Sequence, residues 1–390
     1  PQVRTLVHRL KTKWKIEDAE DRVMCFDIQR EEELYYGWSD DSTVPSREIL
    51  PNGKHSRYKT GPYGNGKGLD YFVDKAGGID IIIGGPPCQA YSVAGRVRDE
   101  NGMKDDYRNY LFEHYLNVVN RYKPKVFIFE NVPGLLSAMP DGTPITRLIR
   151  QGFEGIGYEI VDDLKAYAKI NASDYGVPQH RERLIILGIR KNICEKPQEI
   201  LHDFYKNILP KYKSKTKKTV EEAIGDLPAL YPIITEKTSL KRIGYTKSEC
   251  NITWHKARHH SLRDVEIYGM LAEDILSGEN KYADSKSLSE LYEERVGAKS
   301  PIHRYHVLRK DEPSTTIISH LDRDGNRFIH YDPKQCRDIT PREAARIQSF
   351  DDDFDFIGNQ TDTYIMIGNA VPPILAKCVG GAVAEILDML

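Results

Sequence analysis

The stretch IDIIIGGPPCQAYS (79–92) carries a cysteine in an unusual setting. Ile79, Ile81, Ile82 and Ile83 read as a strand buried on both faces, as in a parallel sheet. Gly84 and Gly85 let the chain turn, and Pro86 and Pro87 stiffen that turn. Cys88 therefore stands just past the carboxyl end of a strand, where open α/β sheets bind ligands. A thiol held there is a candidate thiolate nucleophile, whereas a lone cysteine elsewhere is more often a small buried apolar side chain. Glu130 ends a second apolar run, KVFIFENV (125–132), and a carboxyl at a strand mouth suits proton transfer; taken alone it equally suits a helix amino terminus. QHRER (179–183) sets Gln179, Arg181 and Arg183 on one face of an extended segment. That face can bind a carbonyl or an anion, or form a surface salt-bridge row. His180 leaves a cysteine–histidine hydrolase pairing with Cys88 open.

Strands and helices must hold these groups in place. RVMCFDI (22–28) is strand-like, 79–84 and 125–130 read as strands, and RLIILGI (183–189) is another, with a shorter one near 158–161. Tyr107, Leu111, Tyr115, Val118 and Val119 recur at helical spacing, and a further helix runs through 144–153. The alternation predicts an α/β fold with a doubly wound, mostly parallel sheet. After Arg190 the alternation stops and Lys, His and Tyr increase. TPRE (340–343) has the Thr, Pro and Glu of a capped helix start, and GNAVPPILAKCVGGAVAEIL (368–387) reads as a turn into a helix. The expected domains are a catalytic domain over 1–190, a smaller basic one over 191–337, and a segment 338–390 returning to the first.

The bulk numbers narrow the class. The 390 residues are 39% hydrophobic and 29% charged with a net charge of −2, the balance of a globular chain rather than a polycation. Any nucleic-acid contact must therefore use local charge, and KYKSKTKK (211–218) and HKARHH (255–260) are the basic clusters. No apolar run reaches spanning length and no secretory signal opens the chain, so no membrane is expected. Six cysteines without a CxxC pair argue against zinc or disulfides and suit a reducing cytoplasm; no metal is expected. GPYGNGKG (61–68) nearly spells a P-loop, but Gly68 replaces the Ser or Thr that would bind magnesium, and no buried strand precedes it.

Taken together, GGPPCQ (84–89), ENV (130–132), QHRER (179–183) and GNAVPP (368–373) resemble, in order and spacing, the DNA (cytosine-5) methyltransferases of bacterial restriction–modification systems. The resemblance spans nearly the whole chain. It implies the S-adenosylmethionine-dependent methyltransferase fold with a DNA-recognition domain. It also implies methyl transfer from S-adenosyl-L-methionine to carbon 5 of a cytosine flipped out of double-stranded DNA. Cys88 would add to carbon 6, because a thiolate there turns the electron-poor ring into an enamine. Glu130 would meet ring nitrogen 3, Arg183 the base carbonyl, and Arg181 would support the nucleophile loop. Pro87, Gln89, Asn131 and Gln179 would be supporting residues. Asp27, Ile28, Pro86, Asn369 and Ala370 would line the cofactor pocket. Arg96 and Arg98 lie in a loop (92–108) expected to close over the flipped base, and Lys211, Lys213, Lys215, Lys217 and Lys218 would bind phosphates.

The resemblance further implies a chain monomeric on DNA, in a bacterial cytoplasm at the nucleoid, with a cognate restriction endonuclease as system partner. The family's opening glycine-rich strand–turn and its ribose-binding acid find no match before Cys88. With Asp27 and Ile28 aligned to the family's third motif, those two motifs are expected upstream of residue 1. Alternatives are a DNA-binding relative that does not methylate, a chain completed by a partner, and a relative acting on tRNA.

Overall fold

The computed structural model describes residues 1–38, 65–86, 111–139, 142–235, 239–297 and 305–390. The chain divides into two compact units. A sheet unit takes 6–171, 182–212 and 378–390, and a second unit takes 1–5, 172–181 and 213–377. This division differs from the breaks at 190 and 337 expected from composition. Residues 197–212 group with the sheet because Tyr205 donates to the Ile185 carbonyl at 2.8 Å and accepts from Leu187 N at 2.9 Å. Residues 338–377 group with 213–337 because the two share one apolar core, and only 378–390 return to the sheet unit.

The sheet has the order β1 (Ile81–Gly84), β2 (Val126–Asn131), β5 (Glu182–Arg190), β3 (Tyr158–Ile160), with β4 (Lys169–Asn171) also pairing β5. β1 and β2 are parallel; β5 runs antiparallel to β2, β3 and β4. Among the described residues the sheet is thus mixed, where the apolar runs had suggested a mostly parallel one. The link from β4 to β5 is too short for a parallel crossover, which takes a dozen or more residues. The 22–28 run forms turns and an isolated bridge instead of a strand.

β2 is the centre of the core. Val126, Phe127, Ile128 and Phe129 are all buried, and Phe127 stacks on Phe153 of the Ile145–Gly155 helix at 4.0 Å. The amphipathic helix Leu111–Tyr122 buries Tyr115, whose hydroxyl donates to the Ile128 carbonyl at 2.8 Å. β1 is not the doubly buried strand its sequence suggests: Ile83 is 66% exposed and Ile79 36%. The reason is its place in the sheet, since β2 is its only partner among the described strands. Gly84 serves packing more than turning. A Cβ on it would lie 2.3 Å from the Tyr115 ring.

In the second unit the helix Pro341–Ile347 begins as its sequence indicates, with Thr340 and Glu343 forming a reciprocal capping box. Glu343 also makes two 2.7 Å bonds with the fully buried Arg337. The helices Gln360–Asn369 and Pro373–Met389 come next. Together Gln360–Met389 is long and apolar enough to cross a membrane by composition, contrary to the sequence expectation, but the helix is interrupted at 370–372. Its first part packs Tyr364, Met366 and Ile367 into the unit's core.

The close packing at Gly84 sets a measurable cost. Gly84→Ala should destabilise the protein by about 1–3 kcal/mol through overpacking against Tyr115, read as a lower urea midpoint at unchanged slope. The buried charges of the second unit set a response to acid. Burial, then Arg337, holds His330 down to about 3 from 6.5. Burial pushes Glu343 up, but Arg337 outweighs it and holds the carboxyl at about 2 against an ordinary 4.5. Both folded values lie below the unfolded ones, so the unfolded chain binds more protons in this range and stability falls as pH drops from 6.5 toward 2. Thermal midpoints should decline over that interval, least in a His330→Asn, Glu343→Gln double variant measured against its own value at pH 7; equal slopes in both proteins would contradict this.

Candidate active site

The parallel register pairs Gly84 with Phe129, so Gly85 and Pro86 leave β1 beside Glu130 and Asn131 at the end of β2. Asn131 donates its side-chain amide to the Pro86 carbonyl at 3.2 Å, and its oxygen accepts from Val132 N at 2.9 Å. This ties the start of the GGPPC loop to the second strand. Glu130 lies against the loop as well: a Cβ on Gly85 would sit 2.9 Å from Glu130 Oε2. Glycine is needed here for close approach, and the position has no positive φ.

Arg183, next to β4 on β5, places Nε 3.0 Å from Glu130 Oε1. Both side chains are mostly buried, at 14% and 21% exposure, which leaves an edge open to a ligand. Burial lowers the Arg183 guanidinium from its usual range, and the Glu130 charge opposes that. Arg183 also donates to the Glu182 carbonyl at 2.7 Å. The mouth of the sheet thus presents one carboxylate and one guanidinium side by side, a donor–acceptor pair suited to a planar heterocycle.

Within the second unit a buried polar cradle fixes the turn at 368–370. Arg181 donates to the carbonyls of Ile317 at 2.8 Å, Gly368 at 2.9 Å and Ala370 at 3.2 Å. Gln179 accepts from Ile317 N at 2.8 Å and donates to Gln348 Oε1 at 2.5 Å. Gln348 in turn donates to the carbonyls of Ile367 at 2.9 Å and Ala370 at 2.8 Å. Gly368 lies flat on the backbone at 318, where a Cβ would come within 2.3 Å of the Ile318 carbonyl carbon. The Asn369 side chain, by contrast, is exposed and keeps its amide free among the described residues.

A family model for C-5 cytosine-specific DNA methylases matches residues 59–385. The chain belongs to this family. It is 34% identical over 333 residues to the type II methyltransferase M.Bpa9945I of Bacillus paralicheniformis, covering 80% of this chain and 72% of that protein. Another type II methyltransferase, M.XorII of Xanthomonas oryzae pv. oryzae, is 34% identical over 322 residues, with 79% and 69% covered. The chain also resembles the crystal structure of a DNA modification methyltransferase encoded within an E. coli prophage, at a TM-score of 0.53 and 25% identity, with 82% of each chain covered.

For this methyltransferase, Glu130, Asn131, Arg183 and Pro86 come together in the sheet unit, and Gln179, Arg181, Asn369 and Ala370 in the second unit. Cys88, Pro87, Gln89, Arg96 and Arg98 lie outside the described residues. Asp27 is exposed and accepts from Gln29 N at 3.0 Å, closing its own turn, while Ile28 is half-buried. In the lysine run, Lys211 pairs with Glu385 at 2.7 Å and Lys217 with Asp174 at 3.6 Å; Lys213, Lys215 and Lys218 face solvent. HKARHH is turned partly inward, with Lys256 exposed. His255 and His260 are buried, and Arg258 and His260 both turn onto the buried Asp338. His180 places Nδ1 3.3 Å from the Ser173 hydroxyl.

Sequence reasoning missed Gln348. Its only local signal is a polar residue between Ile347 and Phe350, just past a capped helix. Gln348→Ala should cost about 1–3 kcal/mol, because it strips a buried partner from Gln179 and from two carbonyls. Gln348→Glu, which keeps the acceptor but loses the donor, should be no better; denaturant unfolding of the two variants checks this.

Proposed function

We propose that the chain methylates carbon 5 of cytosine in a specific duplex DNA sequence, with the base flipped from the helix and Cys88 as covalent nucleophile. The observation that carries the reading is the strand-mouth cluster, in which Glu130 and Arg183 form an ion pair beside the loop that leads to Cys88. Carbon 5 is a poor nucleophile until a thiolate adds to carbon 6. Glu130 would bond ring nitrogen 3 and draw charge there as Cys88 adds, and Arg183 would hold the base carbonyl. Asn131 keeps the loop docked on β2 through Pro86, and flipping exposes an atom that is stacked inside the duplex.

S-adenosylmethionine would supply the methyl group as an activated sulfonium. The residues present fit part of that role. The 368–370 turn is held from behind by Arg181 and Gln348 while the Asn369 amide makes no hydrogen bond among the described residues; Ala370 in that unit, and Pro86, Asp27 and Ile28 in the sheet unit, are the other proposed cofactor contacts. Among the described residues β1 has β2 as its one strand partner and Ile83 is exposed, which supports a second reading of the cofactor side: a further segment or partner chain pairs with β1 and holds the amino-acid end. The substrate is double-stranded DNA. A cognate restriction endonuclease, monomeric action on DNA, and a nucleoid-associated place in a bacterial cytoplasm complete the reading. The 211–218 lysines, Arg96 and Arg98 remain proposed DNA contacts.

A duplex pool carrying 5-fluorocytosine, incubated with the protein and S-adenosylmethionine, should give a denaturation-resistant adduct whose peptide maps to Cys88. Cys88→Ser should form none yet retain duplex binding. An adduct mapping to Cys25, Cys194, Cys250, Cys336 or Cys378 would overturn the assignment.

A further inference from the structure

The second unit holds a cavity of about 430 Å³ whose lining is almost wholly polar and basic. Four lysine and arginine side chains converge on it. Two are already neutralised: Arg258 by Asp338, and Arg263 by Asp264 at 3.1 Å. Lys241 and Arg323 also line it, are exposed, and make no ion pair among the described residues. Asp264 is the one carboxylate in the lining among the described residues, and it is occupied by Arg263. Among the described residues the cavity mouth therefore carries two positive charges without a carboxylate partner.

A second observation points to a ligand. Tyr268 and Tyr305 also line the cavity, are only 5% and 8% exposed, and their hydroxyls make no hydrogen bond with the described protein. Buried tyrosine hydroxyls ordinarily find a partner. Burial raises Tyr305 to about 12 and Tyr268 well above its usual value, so at neutral pH both keep the proton to donate. The first turn of the helix Leu262–Ser277, capped by Ser261, lines the same wall and adds the positive end of its dipole. Cations and hydroxyl donors with no free acceptor charge suit a group with several anionic oxygens.

We infer that Lys241 and Arg323, with the Tyr268 and Tyr305 hydroxyls, form a site for a phosphate of the DNA backbone. This rests on the reading of the chain as a DNA methyltransferase. The site is separate from the 211–218 run, where Lys211 and Lys217 already have carboxylate partners. Phosphate contacts fix a protein's position on the duplex and carry the salt dependence of its affinity.

The test is duplex binding by the full chain across a salt series. In Lys241→Ala/Arg323→Ala the slope of log affinity against log salt should become shallower by about 1–2, with weaker binding to every sequence alike. Tyr305→Phe should weaken binding severalfold at unchanged slope. Lys286→Ala, which removes an exposed cation paired with Glu290, should leave both unchanged. If wild type binds duplex and the double variant has its slope and affinity, the site is overturned while the methyltransferase reading stands. If wild type binds no duplex even at low salt, both fall. Calorimetric binding of inorganic phosphate that is lost in the double variant, with DNA slope unaffected, would assign the cavity to a small phosphate and overturn the backbone role.

Discussion

Parallel pairing of β1 with β2 brings two chain segments out of the sheet side by side, and the candidate site is assembled from the residues at and just beyond the strand ends. The register Gly84↔Phe129 fixes which residues emerge together. Slipping it by one would turn every side chain to the opposite face and part Asn131 from the Pro86 carbonyl. The two glycines hold that register tight. Gly84 admits the Tyr115 ring beneath the strand, and Gly85 admits the Glu130 carboxylate above it. A motif that looks like a flexible turn is a close-packing device on both sides.

The second unit solves a different problem with the same economy of parts. The 368–370 turn offers its carbonyls inward, where an unmet acceptor is costly. Arg181 and Gln348 meet them, and Gln179 joins the two into one connected network that also takes in both backbone groups of Ile317. A network of this kind specifies one arrangement when it is satisfied and fails as a whole when a member is lost. Holding the backbone from behind leaves the exposed Asn369 side chain outside this network.

Much of this was legible in the residues, and the rest was hidden for identifiable reasons. The apolar run 126–129, the helical spacing around Tyr115 and the capping box at Thr340 are local patterns, and each formed the element it indicated. The direction of β5 was not legible, because an apolar run carries no sign of which way its neighbours point. The exposure of Ile83 depends on how many strands flank it. HKARHH read as surface charge because its partner, Asp338, lies far along the chain. Glu130 and Arg183 could be named as candidates, but their ion pair exists only through the β2–β5 pairing.

The central claim is methylation of cytosine at carbon 5, and bisulfite sequencing of DNA from cells expressing the chain tests it most directly. The account predicts cytosines protected from conversion in one recurring sequence context, absent from cells carrying the empty vector. Protection in no context, in cells where the folded protein accumulates and S-adenosylmethionine is abundant, would contradict it for this chain.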